Sequence, residues 1–190
     1  MLGNRGLETL PSVRKTIPRS VLVCGGGDNL ADELSSMSID RYVVVADAAT
    51  TIVSEAGIGI DMIVTDLDGI VEDQIGLNSD GTVTFIHAHG DNQLALESYA
   101  GRFVGPVVGT CQCPPPTGMF NLGGFTDGDR AACICAELGA KEILLTGFNF
   151  DSPSSKAGKS KDVKRRKLRW AKTILDILAE SGVRVTYASP

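Results

Sequence analysis

Short runs of uninterrupted apolar residues, each broken by glycine or an acid and followed by a helix-like stretch, constrain this chain most. Ser20-Val21-Leu22-Val23-Cys24 ends in Gly25-Gly26-Gly27, and Tyr42-Val43-Val44-Val45-Ala46 ends at Asp47. Asp61-Met62-Ile63-Val64, Val83-Thr84-Phe85-Ile86, Pro106 to Thr110, Glu142 to Thr146 and Val183 to Tyr187 follow the same habit. Continuous apolar runs of this length mark strands buried on both faces. Helices are expected from a cap at Asp28 or Asn29 to Ser36, through Thr51 and Glu55, and over Gln93 to Phe103. Two more fall over Asp129 to Leu138, stopping at Gly139, and over Val163 to Ser181 with Leu168, Ile174, Leu175 and Leu178 on the apolar side. Asn78-Ser79-Asp80-Gly81 reads as a turn, and the Cys113-Pro114-Pro115-Pro116 loop must leave the sheet. Strands alternating with helices predict an α/β fold, a doubly wound, mostly parallel sheet with helices on both faces and right-handed crossovers. Residues 1–19, with Pro11 and Pro18, are expected to be irregular, and 20–190 to form a single α/β catalytic domain.

Ligands of such sheets bind just outside the carboxyl ends of the strands. Two acidic runs lie at those ends: Val64-Thr65-Asp66-Leu67-Asp68-Gly69 and His87-Ala88-His89-Gly90-Asp91-Asn92. On extended backbone Asp66 and Asp68 point the same way, so both carboxylates can reach one cation. Mg²⁺ takes one or two protein carboxylates together with phosphate oxygens and keeps several waters. The pattern therefore points to a magnesium and nucleotide enzyme. His87, His89 and Asp91 leave open a two-histidine, one-carboxylate iron site, although nothing else points to redox chemistry.

Charge supports the same reading. Of the eighteen Lys and Arg residues, nine lie between Lys156 and Lys172 against the single acid Asp162, leaving nine basic and twenty-two acidic side chains elsewhere. An acidic body with one basic segment suits a metal pocket approached by a phosphate-binding arm, and a solvated helix face would show the same charges. Nucleic acid is not an expected partner, because the rest of the chain denies it a broad basic surface. Five cysteines, an odd number, suggest a reducing compartment. The Cys111/Cys113 and Cys133/Cys135 spacings are too tight for zinc and read as buried small hydrophobes. No apolar run reaches the ~18 residues of a membrane span and no signal peptide is visible, so a cytoplasmic protein without a membrane partner is expected.

Two phosphate-loop patterns fail in detail. Gly25-x-Gly27 lacks the third glycine of a dinucleotide fingerprint, where Leu30 stands, and Gly158-Lys159-Ser160 has Pro153 in place of the first P-loop glycine. A glycine turn can still present amides to phosphate. In Asn121-Leu122-Gly123-Gly124-Phe125-Thr126-Asp127-Gly128-Asp129-Arg130, Thr126 or Asp127 can cap the next helix. Arg130 can hold a carboxylate or phosphate in a fork.

Together with Cys24 to Leu30 and Ala46-Asp47-Ala48, these runs resemble, in order, the archaeal 6-hydroxymethyl-7,8-dihydropterin pyrophosphokinase family, distant kin of thiamin pyrophosphokinases. The thiamin enzymes' G-G-R-x-D-H motif is matched at Gly123 and Gly124 but not at Phe125 and Gly128, which argues against thiamin as acceptor. The resemblance implies a thiamin-pyrophosphokinase-like fold and Mg²⁺-dependent transfer of diphosphate from ATP to the hydroxymethyl group of a reduced pterin, releasing AMP. It implies Asp66, Asp68 and Asp91 as metal-binding and catalytic residues. Gly25, Gly26, Gly27, His89, Asn92, Gly124, Asp127, Arg130, Lys156 and Lys159 are expected around ATP and its phosphates, with Lys161 or Lys164 and residues 152–161 as a lid. Asp47, Asn121 and Asp151 are expected at the pterin edge, and the working unit is expected to be a homodimer. The alternatives are a nucleotide-sugar-dependent glycosyltransferase-like enzyme, since D-x-D metal sites serve both chemistries, or a thiamin pyrophosphokinase.

Overall fold

In the computed structural model, which describes residues 10–14, 16–150 and 161–188, eight strands form one sheet. They are β1 (Ser20–Cys24), β2 (Tyr42–Ala46), β3 (Met62–Thr65), β4 (Val83–Ala88), β5 (Val107–Cys111), β6 (Met119–Phe120), β7 (Glu142–Thr146) and β8 (Arg184–Tyr187). Their order is β6-β5-β4-β3-β2-β1-β7-β8, and every neighbouring pair is parallel. The chain winds outward from β1 to β6, then returns to the other side of β1 to lay down β7 and β8. The reversal, with β1 paired to β2 on one side and to β7 on the other, opens a crevice at the carboxyl ends of β1 and β7.

Helices cover both faces, as the alternating pattern requires. α2 (Leu30–Ser36), α3 (Ala49–Glu55), α4 (Val71–Ser79) and α5 (Gln93–Tyr99) follow the first four strands. Leu22, Cys24, Val43, Val45 and Ile63 meet Leu30, Leu34 and Val53 on that face. The opposite face sets Val21, Val23, Val44, Val64 and Phe85 against α6 (Asp127–Leu138) and α7 (Lys161–Glu180) through Ile134, Leu138 and Leu175. Alternate residues of each inner strand serve opposite layers, which is why those strands read as unbroken apolar runs. On α7 Ala171 and Leu175 are buried and Leu168, Ile174 and Leu178 half-buried, the side expected for it. α6 starts on a capping box of Thr126 and Asp129 and ends at Gly139, whose φ of 117° suits glycine.

Four local expectations change. Within the first nineteen residues Leu10–Arg14 forms α1, which buries Val13 in the α6 layer. Asn78 closes α4 instead of opening a turn. Its buried amide donates to the carbonyls of Thr82 and Pro106 and accepts from the N–H of Gly105. Asn29 stands at the α2 cap position but spends its side chain on Glu33 Oε1 at 2.6 Å. Of the paired cysteines, Cys111 and Cys135 are buried, whereas Cys113 is exposed.

Candidate active site

Asp47 follows the last residue of β2 in an unusual backbone state, with φ 27°. Its N–H reaches Val64 O at 2.8 Å, and its carbonyl accepts from the Thr50 N–H and hydroxyl. The side chain is buried, and Oδ1 accepts from Thr65 Oγ1 at 2.6 Å and Gln74 Nε2 at 3.0 Å. A Cβ at Gly69 would stand 2.7 Å from Asp47 Oδ2, so the acidic loop approaches only because glycine is there.

β3 stops at Thr65, and Leu67 is left-handed, with φ 68° and its N–H on Thr65 Oγ1. Asp66 and Asp68 therefore approach through a turn, Asp68 N–H donating to Asp66 Oδ1 at 3.2 Å, and not by strand alternation. Asp47, Asp66 and Asp68 each bring a carboxylate oxygen within 4.8 Å of the others, and among the described residues theirs is the group with that spacing. Asp91, expected as the third ligand, is exposed and outside the group, and Asp47, expected at the pterin, stands in its place. The His87, His89 and Asp91 iron arrangement does not form either.

The carboxylates of the cluster act on one another. Burial pushes the Asp47 carboxyl up to about 6, with Asp68 beside it adding to the rise against the Thr65 and Gln74 hydrogen bonds. Asp127, first residue of α6, is held well above the usual carboxylate range by burial and then by Asp66 and Asp47, with Arg130 opposing. His89 Nε2 lies 3.3 Å from Asp66 Oδ2. Crowded carboxylates of this kind are relieved by a small divalent cation, and three oxygen donors are a set that Mg²⁺ accepts.

A cleft of about 260 Å³ opens above the cluster between the ends of β1, β2 and β7 and the flank of α7. Gly25, Gly26, Gly27, Asp47, Asp68 and Asp127 line it, joined by Phe148, Asn149, Phe150, Lys164, Lys167 and Leu168. Gly25 and Gly27 give their N–H groups to Thr146 O and Gly147 O, so those two amides are spent on the neighbouring strand end and do not face phosphate. A Cβ on Gly27 would sit 2.5 Å from Gly147 O, which makes this turn a place of close backbone contact. Lys167 and the Phe148 to Phe150 segment were not singled out in the sequence. The rule that strand ends carry the site, applied to β7, would have found the latter.

Among the described residues, the other expected ones do not line the cleft. Asn92 is buried and donates to the carbonyls of Asp66 and His87 while accepting from His89 N–H, tying the two acidic loops together instead of facing a nucleotide. Arg130 is buried and closes its fork on Gly123 O and Phe125 O. A Cβ on Gly124 would collide with Arg130, and Asn121 is exposed, donating to Cys113 O. His87 is buried, its Nδ1 3.1 Å from Thr110 Oγ1, and burial, Arg130 and His89 push it down to about 3, so the ring is neutral. Asp151, Lys156 and Lys159, with residues 152–160 of the expected lid, lie outside the described residues, as does the Lys161 side chain.

A family model described as 6-hydroxymethylpterin diphosphokinase MptE-like matches residues 4–154. A 6-hydroxymethyl-7,8-dihydropterin pyrophosphokinase of Pyrococcus furiosus is 39% identical over 175 residues, 87% of this chain and 74% of that protein. One of the same name from Methanothermobacter thermautotrophicus is 39% identical over 173 residues, 85% and 74% of the two chains. Among solved structures, the α-2,3-sialyltransferase Cst-I of Campylobacter jejuni superposes with TM-score 0.53 and 12% identity over 99% of this chain and 80% of that one, a likeness of fold. A thiamine pyrophosphokinase of Bacillus subtilis aligns at TM-score 0.47 and 15% identity over 88% of this chain, which spans 59% of that structure. Among the described residues no helix is long and apolar enough to cross a membrane.

Proposed function

The chain belongs to the 6-hydroxymethylpterin diphosphokinase MptE-like family, a family of diphosphotransferases, and we propose that it moves the terminal diphosphate of ATP onto the hydroxymethyl oxygen of a reduced pterin. The observation that carries this reading is the approach of three carboxylates within 4.8 Å, two of them, Asp47 and Asp68, lining a cleft that Lys164 and Lys167 also line. Asp47, Asp66 and Asp68 would hold Mg²⁺. Bound there, the ion would neutralise charge on the phosphate oxygens, the main requirement in phosphoryl-type transfer. In the reaction the pterin hydroxyl loses its proton to water as its oxygen bonds to the β-phosphorus, the bond from that phosphorus to the bridging oxygen of the α-phosphate breaks, and AMP leaves with the electron pair.

The chain's own residues divide the remaining work. Lys164 and Lys167 on α7 line the same cleft as Asp47 and Asp68 and would meet the anionic tail there. Phe148, Phe150 and Leu168 give the cleft an apolar side against which a flat ring can lie. Phe148 also packs where Cβ atoms at Gly25 and Gly128 would collide with its ring, which holds the glycine turn against the start of α6. The tested products are AMP and a pterin diphosphate in equal amounts from ATP, Mg²⁺ and 6-hydroxymethyl-7,8-dihydropterin. ADP in place of AMP, or no turnover, overturns the proposal. Family membership removes the glycosyltransferase alternative, since the sialyltransferase likeness is one of fold.

A further inference from the structure

Asp47 uses its two carboxylate oxygens differently. Oδ1 accepts two hydrogen bonds, from Thr65 Oγ1 at 2.6 Å and Gln74 Nε2 at 3.0 Å, while Oδ2 leans over Gly69 toward the acidic turn. Thr65 and Gln74 are both fully buried. The Gln74 amide has one sensible orientation, because the reverse would set its oxygen against a carboxylate oxygen. In that orientation its Oε1 is buried without a partner, so Gln74 is held for what its amide donates and not for a complete set of hydrogen bonds. The Thr65 hydroxyl also accepts from Leu67 N–H at 2.9 Å, in the left-handed link between Asp66 and Asp68. One hydroxyl thus couples the aim of Asp47 to the turn that presents the other two carboxylates.

We propose, resting on the cation-dependent reading above, that Thr65 and Gln74 are positioning residues that set which cation the site prefers. With Oδ1 occupied twice, Asp47 has Oδ2 to give and serves as a one-oxygen ligand. Mg²⁺ and Mn²⁺ are served by such ligands, because they demand a tight octahedron and keep waters. Ca²⁺ takes more oxygens and gains when a carboxylate chelates with both. Freeing Oδ1 therefore weakens the small cations and favours Ca²⁺.

The test uses Mn²⁺ as probe, followed by the electron paramagnetic resonance of the free ion, with Ca²⁺ as competitor. Gln74→Met and Thr65→Val are expected to bind Mn²⁺ about tenfold more weakly and to shift the preference toward Ca²⁺ by about tenfold, while Thr65→Ser behaves as the unaltered chain. Circular dichroism and thermal melting identify the folded variants. If Thr65→Val fails to fold because Leu67 loses its acceptor, Gln74→Met still decides, since it removes an unpaired acceptor from the interior. An unchanged Ca²⁺-to-Mn²⁺ preference in folded Gln74→Met overturns the inference, even if both affinities fall. Failure of the unaltered chain to bind Mn²⁺ is a different result and removes the cation reading itself.

Discussion

The two rims of the cleft solve opposite problems. At the ends of β1 and β7 side chains are withheld: Gly25, Gly27 and Gly147 let two backbones touch, and the N–H groups of all three are taken within the fold. At the ends of β2 and β3 side chains are crowded together: Asp47, Asp66 and Asp68 converge although like charges repel, and Asp47 and Leu67 accept left-handed backbone to make it happen. The glycine rim is a finished structure. The aspartate rim is where the proposed Mg²⁺ would sit, and left-handed backbone at non-glycine residues is a mark of function. Substitutions should therefore separate the rims, the first costing stability and the second activity.

The largest effect is expected from Asp66→Asn or Asp68→Asn, each lowering kcat about 100-fold or more, with a thermal midpoint unchanged or raised because a repelling charge is gone. Asp91→Asn, outside the cluster, should stay within a factor of about 3 in the same assay. Equal losses in all three would break the separation and restore Asp91 to the site. On the glycine rim, Gly27→Ala places a Cβ against Gly147 O and should cost about 1–3 kcal/mol in urea denaturation. A fully stable Gly27→Ala that loses turnover would show that this rim, too, serves chemistry.

Mg²⁺ sharpens the contrast without a substitution. Metal requires the ionised carboxylate, and Asp47 is held up to about 6. The gain in melting temperature from Mg²⁺ over a chelator should be full near pH 8 and fade as pH falls through about 6. A gain independent of pH would move the ion away from Asp47. Replacing Lys164 and Lys167 together by Gln should raise KM for ATP about threefold to tenfold and leave kcat less changed, in initial-rate measurements over a range of ATP. The smallest effect concerns His87. Its folded form stays neutral down to about 3, whereas the unfolded ring takes a proton near 6.5, so stability is lost as pH falls below 6.5. Urea denaturation at pH 7.5 and 5 should show His87→Asn losing less over that interval than the unaltered chain.

Much of the fold could be read directly because its signals are local. Ser20–Cys24, Tyr42–Ala46 and Glu142–Thr146 are strands where unbroken apolar runs predicted them, since a strand buried on both faces has no polar side to show. β6 has two residues and α4 mixes polar with apolar positions, so neither announces itself by period. Asp66 and Asp68 were legible as a pair because they are neighbours in sequence. Asp47 lies about twenty residues away, and Gln74 and Phe148 belong to no motif.

The amino-acid order alone determined the parallel layered sheet, the strand ends as the place for a site, and the acidic pair with its glycine. Only the tertiary structure decided which third carboxylate joins that pair, which amides of the glycine turn are already taken, and which lysines border the cleft. The reason is physical: propensity and burial are settled within a few residues, whereas a site is assembled where β1, β2, β3 and β7 end side by side, and that adjacency is set by strand order and register.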